Sequence, residues 1–456
     1  GSALAGEYEV ANSLRFDSGS SDSLSHLQST PTNADKITFS FWVKLADTLT
    51  GGGDRTIIGE RTDADNQSYL YFRNDQTLGF YQVQSNSVNF DFRSTRVFRD
   101  TSAWYHIVVL FDTAQATSTN RFKIYVNNEE ITNWNANTYP SQNDNVRLNG
   151  GGETLKIGGG LSQTDCSFYL AEFVYCDGQA LDPTSFGEFD QDTNIWKPID
   201  VSGLTFGNNG FYLDFENSGS LGADVSGNGN NFTVNNLTSI DQSTDTCTNN
   251  FATLNPLNKG SAVTLSEGNL GYTAPSGSFA SVLSTIGVQQ GKWYVEYKWV
   301  SGTNSHIGIA TQNFNPDSYL GQAAEGYSYF TDGRKYNNNT GSTYGDAYVT
   351  GDIIGIALDL DNGALWFSKN GTWQNSATQG EIEAGTTTNA AFTSLSGEFF
   401  FGVGMGNSNE VANMNFGSPP YSISSGNSDA NGYGNFEYSV PSGYYALNTK
   451  NLAEYG

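Results

Sequence analysis

Lys36-Ile-Thr-Phe-Ser-Phe-Trp-Val-Lys44 alternates apolar and polar residues, so Ile37, Phe39, Phe41 and Val43 fall on one face of an extended segment. That period of two belongs to a half-buried β-strand and to no helix. The same signature recurs outward along the first 200 residues. It is present in Ser68-Tyr-Leu-Tyr-Phe72, Thr77-Leu-Gly-Phe-Tyr81, Val88-Asn-Phe-Asp-Phe92 and Trp104-Tyr-His-Ile-Val-Val-Leu-Phe111. Arg121-Phe-Lys-Ile-Tyr-Val126, Thr154-Leu-Lys-Ile157 and the run from Phe168 to Tyr175 continue it. Between these runs lie Gly, Asn and Asp, the residues of tight turns. A second series begins near residue 276 with Lys292-Trp-Tyr-Val-Glu-Tyr-Lys-Trp299, Ile353-Ile-Gly-Ile-Ala-Leu-Asp359 and Phe399-Phe-Phe-Gly-Val-Gly404. Asp361-Asn-Gly363 and Lys369-Asn-Gly371 predict two hairpin turns, since Asn-Gly accepts positive φ at both central positions. The expected fold is all-β, with two antiparallel β-sandwich (jelly-roll) domains in series. They occupy residues 1–200 and 276–417, separated by a turn-rich connector at 201–275 and followed by an aromatic tail at 418–456.

Composition agrees with this reading. The 456 residues include 25 Tyr, 29 Phe and 8 Trp beside 2 Met, and 52 Gly supply the turns. Lys and Arg total 21 against 47 Asp and Glu, a formal net charge of −26. Such a surface repels phosphate backbones and anionic membranes, which argues against nucleic-acid partners. No apolar run approaches the ~20 residues that would insert into a bilayer. Cys166, Cys176 and Cys247 are too few and too far apart for a disulfide framework, so free thiols are expected. The opening residues, Gly1 to Gly6, lack the basic region of a signal peptide. Gly1-Ser2 reads as a cloning remnant or a processed terminus.

Gly291-Lys-Trp-Tyr-Val-Glu296, Ile307-Gly-Ile-Ala310, Asp352 to Asp359 and Leu365-Trp-Phe-Ser-Lys-Asn-Gly371 occur in the order seen in SPRY domains, which the second region resembles. The resemblance implies a non-catalytic module that binds through loops at one end of its sandwich. Ser13-Leu-Arg-Phe-Asp17, Phe39-Ser-Phe-Trp-Val43, Trp104-Tyr-His-Ile-Val108 and Lys123-Ile-Tyr-Val-Asn127 give the first region a likeness to concanavalin A-like jelly rolls of the laminin G type. That likeness implies carbohydrate binding, sometimes with calcium, or a structural spacer. Gly227-Asn-Gly-Asn-Asn-Phe-Thr-Val-Asn-Asn236 and Gly443-Tyr-Tyr-Ala-Leu-Asn-Thr-Lys-Asn-Leu452 are similar to segments of structural proteins of marine bacteriophages. The implied role is a tail, fibre or capsid-surface component recognising a host-surface glycan or protein. A homo-oligomer among other virion proteins, on a virion surface or in an extracellular setting, would fit that role. The alternatives are a secreted bacterial lectin or adhesin and a self-assembling filament subunit.

An enzyme is not expected. Asp359 and Asp361 alternate but border a hairpin turn, and Glu381-Ile-Glu383 sits in a Gly/Thr-rich, exposed loop. His106 lies in an apolar strand, His306 opens another, and His26 falls in a loop, so no Ser-His-Asp arrangement is apparent. Calcium is the most plausible cofactor, with Asp17, Asp22, Asp165 and Asp177 as candidate ligands, although the same acids are suited to capping turns. Aromatics in polar loop sequence are the candidate ligand contacts, namely Trp134, Tyr139, Tyr319, Tyr327, Tyr344 and Trp373. Packing on its own domain is the alternative for each. Trp42, Trp104, Trp293 and Trp366 lie in strands and are assigned to cores. The tail's Tyr and Leu residues predict docking, on this chain or on a partner chain.

Overall fold

The computed structural model describes residues 8–161, 164–406 and 409–456. The opening hexapeptide and Gly1-Ser2 lie outside the described residues. The chain divides into two compact units, the first ending at Thr248 and the second beginning at Asn249. Both consist of facing antiparallel sheets, so the all-β sandwich architecture holds.

In the first unit one sheet runs from Glu129–Glu130 through Phe122–Val126, Trp104–Asp112, Lys36–Leu45, Phe168–Asp177 and Ser13–Phe16 to Gln242–Ser243. The facing sheet runs from Trp134–Thr138 through Ser87–Val97, Thr77–Gln84, Asn66–Phe72, Arg55–Asp63, Thr154–Gly158 and Ser23–Leu27 to Thr233–Asn235. Ile37, Phe39, Phe41 and Val43 enter the core between the sheets, as their spacing predicts. The polar phase of that strand is buried as well. Trp42 stacks on His106 with ring centroids 4.7 Å apart, and Lys44 Nζ meets Asp245 Oδ2 at 2.7 Å. A further apolar layer covers this face, built from Phe186, Val201, Phe206, Tyr212 and Trp196. The strand is therefore a central one, covered on both sides.

The turn-rich stretch 201–275 is shared between the units. Phe211–Leu213 pairs with Phe168–Asp177, Thr233–Asn235 with Ser23–Leu27 and Gln242–Ser243 with Ser13–Phe16. Leu254–Lys259, Thr264–Ser266 and Gly271–Ala274 belong to the second unit's sheets. Its strands are short, yet Phe211, Leu213, Phe215 and Phe232 all reach the first core. All three cysteines are free.

The second unit packs two seven-stranded sheets around Trp293, Val295, Ile307, Ile356, Phe401 and Val403. Lys292–Ser301, Ile353–Asp359 and Ala364–Lys369 lie side by side in one of them. Asn370 and Gly371 both take positive φ, 47° and 79°, as an Asn-Gly hairpin requires. At the preceding turn only Gly363 does so, because Asn362 is held by Asp359 through its N–H at 2.9 Å and its amide at 2.8 Å. Residues 418–456 fold back over this sheet's outer face. Phe436 meets Tyr294 edge-on at 5.1 Å, and Tyr444 and Trp366 join the same buried cluster. Of the two docking modes expected for the tail, its buried rings thus take the one within its own unit.

Candidate functional site

The other sheet of the second unit contains Phe279–Val288, Phe399–Gly406, Ser305–Ala310, Gly326–Phe330 and Arg334–Asn337. Val282, Ile307, Tyr329 and Phe401 face its core, so the alternate residues face outward. Part of that outer face is covered by the segment 311–325, whose Phe314 and Leu320 pack against Leu283, Ala310 and Phe400. Gly402 allows this close approach, since a Cβ there would lie 2.6 Å from the Leu283 side chain and 3.3 Å from that of Leu320.

Where this cover ends, five rings gather. His306 stacks between Tyr319 at 4.6 Å and Phe330 at 4.4 Å, and Tyr336 stands edge-on to it at 5.4 Å. Phe279 meets Tyr319 at 5.4 Å and is 43% exposed, while Tyr319, Phe330 and Tyr336 are half-buried. The Arg334 guanidinium lies 5.0 Å over the Tyr336 ring and is held by Asp332 at 2.6 Å. The Tyr319 hydroxyl donates to the Asn339 amide oxygen. Ser328 spends its hydroxyl proton on the Leu320 carbonyl at 2.6 Å, so His306 Nδ1 donates to Ser328 Oγ at 3.0 Å. Burial holds His306 down to about 3, with Arg334 adding to the effect, so the ring is neutral and serves as the platform's floor. Rings, a guanidinium and an amide rim on a rigid sheet form a contact surface suited to binding by shape and stacking.

Of the six sequence candidates, only Tyr319 belongs to this platform. Trp134 and Tyr139 come together around Phe92, at 5.1 and 4.8 Å, on the edge of the first core. Tyr327 packs edge-on against Phe392 and Phe399. Tyr344 is 4% exposed and its hydroxyl accepts the N–H of Phe367, so it is a core residue and not a loop contact. Trp373 is half-buried against the cluster that holds the tail. His306, Phe330, Tyr336 and Phe279 escaped sequence reasoning, although Phe330 follows a core-facing Tyr329 and must point the other way.

The four aspartates do not converge. Asp22 accepts the Asp17 N–H at 2.9 Å and the Ser20 hydroxyl at 2.6 Å, and Asp17 accepts the Gly19 N–H at 2.7 Å. Asp165 accepts the Gly160 N–H at 3.2 Å. Asp177 is enclosed by the N–H groups of Thr32, Asn33 and Asn209 and by the Asn149 amide. Asp17, Asp22 and Asp165 hold backbone N–H groups of their own turns and Asp177 those of two distant segments, and among the described residues no group of three or more His, Cys, Asp or Glu side chains is arranged for a metal.

The acids and histidines weighed for catalysis are equally committed. Asp359 lies beside Lys292 at 3.2 Å, and Asp361 takes the Gly291 N–H. Glu381 and Glu383 lie on the short helix Gln379–Glu383, where Thr378 and Glu381 form a capping box. The expected loop is therefore a capped helix, since the Thr-x-x-Glu spacing satisfies its first N–H groups. In the first unit Trp196 donates its indole N–H to His106 Nδ1 at 2.9 Å. The neutral ring then carries its proton on Nε2 and gives it to Ser40 Oγ at 2.7 Å, the reverse of what activates a serine.

Residues 292–419 match the family model of the SPRY domain, and residues 17–176 match that of the concanavalin A-like lectin/glucanases superfamily. The chain therefore carries a concanavalin A-like domain followed by a SPRY domain. It is 32% identical to Ran-binding protein 9 of Xenopus laevis over 36% of this chain and 30% of that protein. The human Ran-binding protein 9 is 31% identical over 36% and 22%. An ATP-dependent RNA helicase, DDX1 of Xenopus laevis, is 32% identical over 26% and 16%. The chain thus spans at most 30% of the length of these relatives. Among solved structures, the SPRY domain of human HERC1 aligns with 18% identity over 35% of this chain and 96% of that chain, with a TM-score of 0.30. Relatives that are Ran-binding proteins, and not phage structural proteins, overturn the host-attachment reading together with its virion-surface or extracellular setting. The lectin, adhesin and filament alternatives are set aside with it.

Proposed function

We propose that this chain is a non-catalytic recognition protein whose SPRY unit captures a protein partner on the platform of Phe279, Tyr319, Phe330 and Tyr336. The observation that carries the reading is five rings gathered at the margin of a rigid sheet, one of them 43% exposed, beside a guanidinium poised over an aromatic face. Aromatic and Arg side chains in such settings supply most of the energy of protein interfaces. The SPRY match and the Ran-binding names of its relatives support a protein as the ligand.

A displayed random-peptide library selected on the wild-type chain tests the proposal. Selected peptides are expected to lose about tenfold or more in affinity for Tyr319→Ala and Tyr336→Ala. Peptides that bind the double variant as well as they bind the wild type would move the site elsewhere.

A further inference from the structure

The outward face of the first unit's second sheet carries a separate constellation. Ile58, Leu70, Phe80 and Phe92 point from its strands into the core. On the opposite face the register aligns Lys156 with Gly59, Gly59 with Tyr69 and Tyr69 with Tyr81, giving one row across four strands. The Tyr69 ring lies 5.1 Å from Tyr71 and 5.7 Å from Tyr81. Gly79 leaves room for Tyr71 to lie flat, since a Cβ there would be 2.6 Å from that ring. At the Lys156 end of the row a pocket of about 240 Å³ opens, lined by Arg61, Thr62, Asp63, Thr154, Lys156 and Leu161.

The charges in this pocket are unusual for a chain with a net charge of −26. Arg55, Arg73 and Arg93 of the same sheet each have a carboxylate within 4 Å. Among the described residues Arg61 and Lys156 have none, and are held only by backbone carbonyls, Arg61 Nε by Asp63 at 3.3 Å and Lys156 Nζ by Gly160 at 2.8 Å. The acids nearby are engaged elsewhere. Asp63 Oδ1 takes the Asp65 N–H and the Asn66 amide, Asp165 the Gly160 N–H, and Glu153 takes Arg147 and the Thr62 hydroxyl. Among the described residues the guanidinium's terminal N–H groups and the remaining ammonium protons meet no acceptor, and both groups line one small pocket. Charge-assisted hydrogen bonds of that kind fit tetrahedral oxyanions. A neighbouring tyrosine row fits a flat ring.

We propose that this pocket receives a phosphate or sulfate monoester and that Tyr69 and Tyr81 receive the ring bearing it. The inference concerns a different unit from the partner-binding platform and stands independently of it. Calorimetric titration of the full chain at constant ionic strength, with inorganic phosphate, phenyl phosphate and glucose 6-phosphate, tests it. Saturable phosphate binding is expected, weakened about tenfold or more by Arg61→Gln or Lys156→Gln and largely kept by Arg61→Lys. One ring-bearing ester should bind several-fold tighter than phosphate, and Tyr69→Ala should remove that margin alone. Which ester gains the margin tells an aryl bearer from a pyranose. Circular dichroism confirms that the variants, all at half-buried surface positions, remain folded. No saturable binding of any probe, or undiminished binding by the Arg61→Gln/Lys156→Gln variant, overturns the anion site. A margin that is absent, or that survives Tyr69→Ala, overturns the ring contact.

Discussion

Arg147 reaches Glu60 through a paired contact of 2.7 and 2.8 Å inside the first sandwich, where Glu60 is fully buried, and extends to Glu153 at 3.1 Å. Burial raises the Glu60 carboxyl above its ordinary range although Arg147 pulls it down, so desolvation outweighs the attraction. A buried pair of this kind adds little net stability, but half a pair is costly. Glu60→Ala leaves the guanidinium without its main partner and is expected to cost about 3–5 kcal/mol in urea unfolding. Glu60→Met combined with Arg147→Met should cost clearly less, because neither charge is then stranded. None of this is legible from residue order. Glu60 follows Ile58 at a spacing of two and so shares its inward face, yet the partner that makes this tolerable lies 87 residues away.

The element that decides the second unit's integrity is the tail. Glu296, in the middle of Lys292–Ser301, accepts the N–H groups of Glu437 at 2.9 Å and Tyr438 at 2.8 Å and so grips two consecutive peptide units. Phe436, beside them, is fully buried against Tyr294. Phe436→Ala is expected to destabilise the second unit by about 3–5 kcal/mol in denaturant unfolding. A chain ending at residue 417 should bind a hydrophobic dye, since Tyr294 and Trp366 would lose their cover. Alternation identified the strands themselves, because one buried face leaves a period of two. It misassigned the polar positions of the covered outer faces, because Ser40 and Lys44 read as solvent-facing until distant segments close over them. The platform was only partly legible for the same reason. Tyr319 stands out in polar loop sequence, whereas Phe330 and His306 hide inside strands that read as core.

At the scale of the whole molecule, acidity is distributed so that the two units should answer differently to pH. Burial pushes Glu296 up to about 7 and Glu410 up to about 8 in the second unit, and Glu172 up to about 7 in the first. A carboxyl raised in the fold stabilises it most below its unfolded pKa, and that contribution fades as pH rises through the folded value. Lowering pH from about 8 to about 6.5 should therefore stabilise the second unit by about 2 kcal/mol and the first by under about 1 kcal/mol. The buried histidines act in the opposite sense and lower down. His106 and His306, held to about 3 by burial, favour the fold above about 6.5 and withdraw that contribution as pH falls further. Between 8 and 6.5 that withdrawal is only about 0.4 kcal/mol per histidine, so the carboxylates dominate the second unit's response. Added salt should raise stability throughout, since it screens the repulsion of 26 excess negative charges. Differential scanning calorimetry, with Glu410→Gln assigning the second unit's transition, checks both effects. If that transition moves upward with rising pH across this window, Glu410 and Glu296 are not the desolvated acids that their surroundings make them.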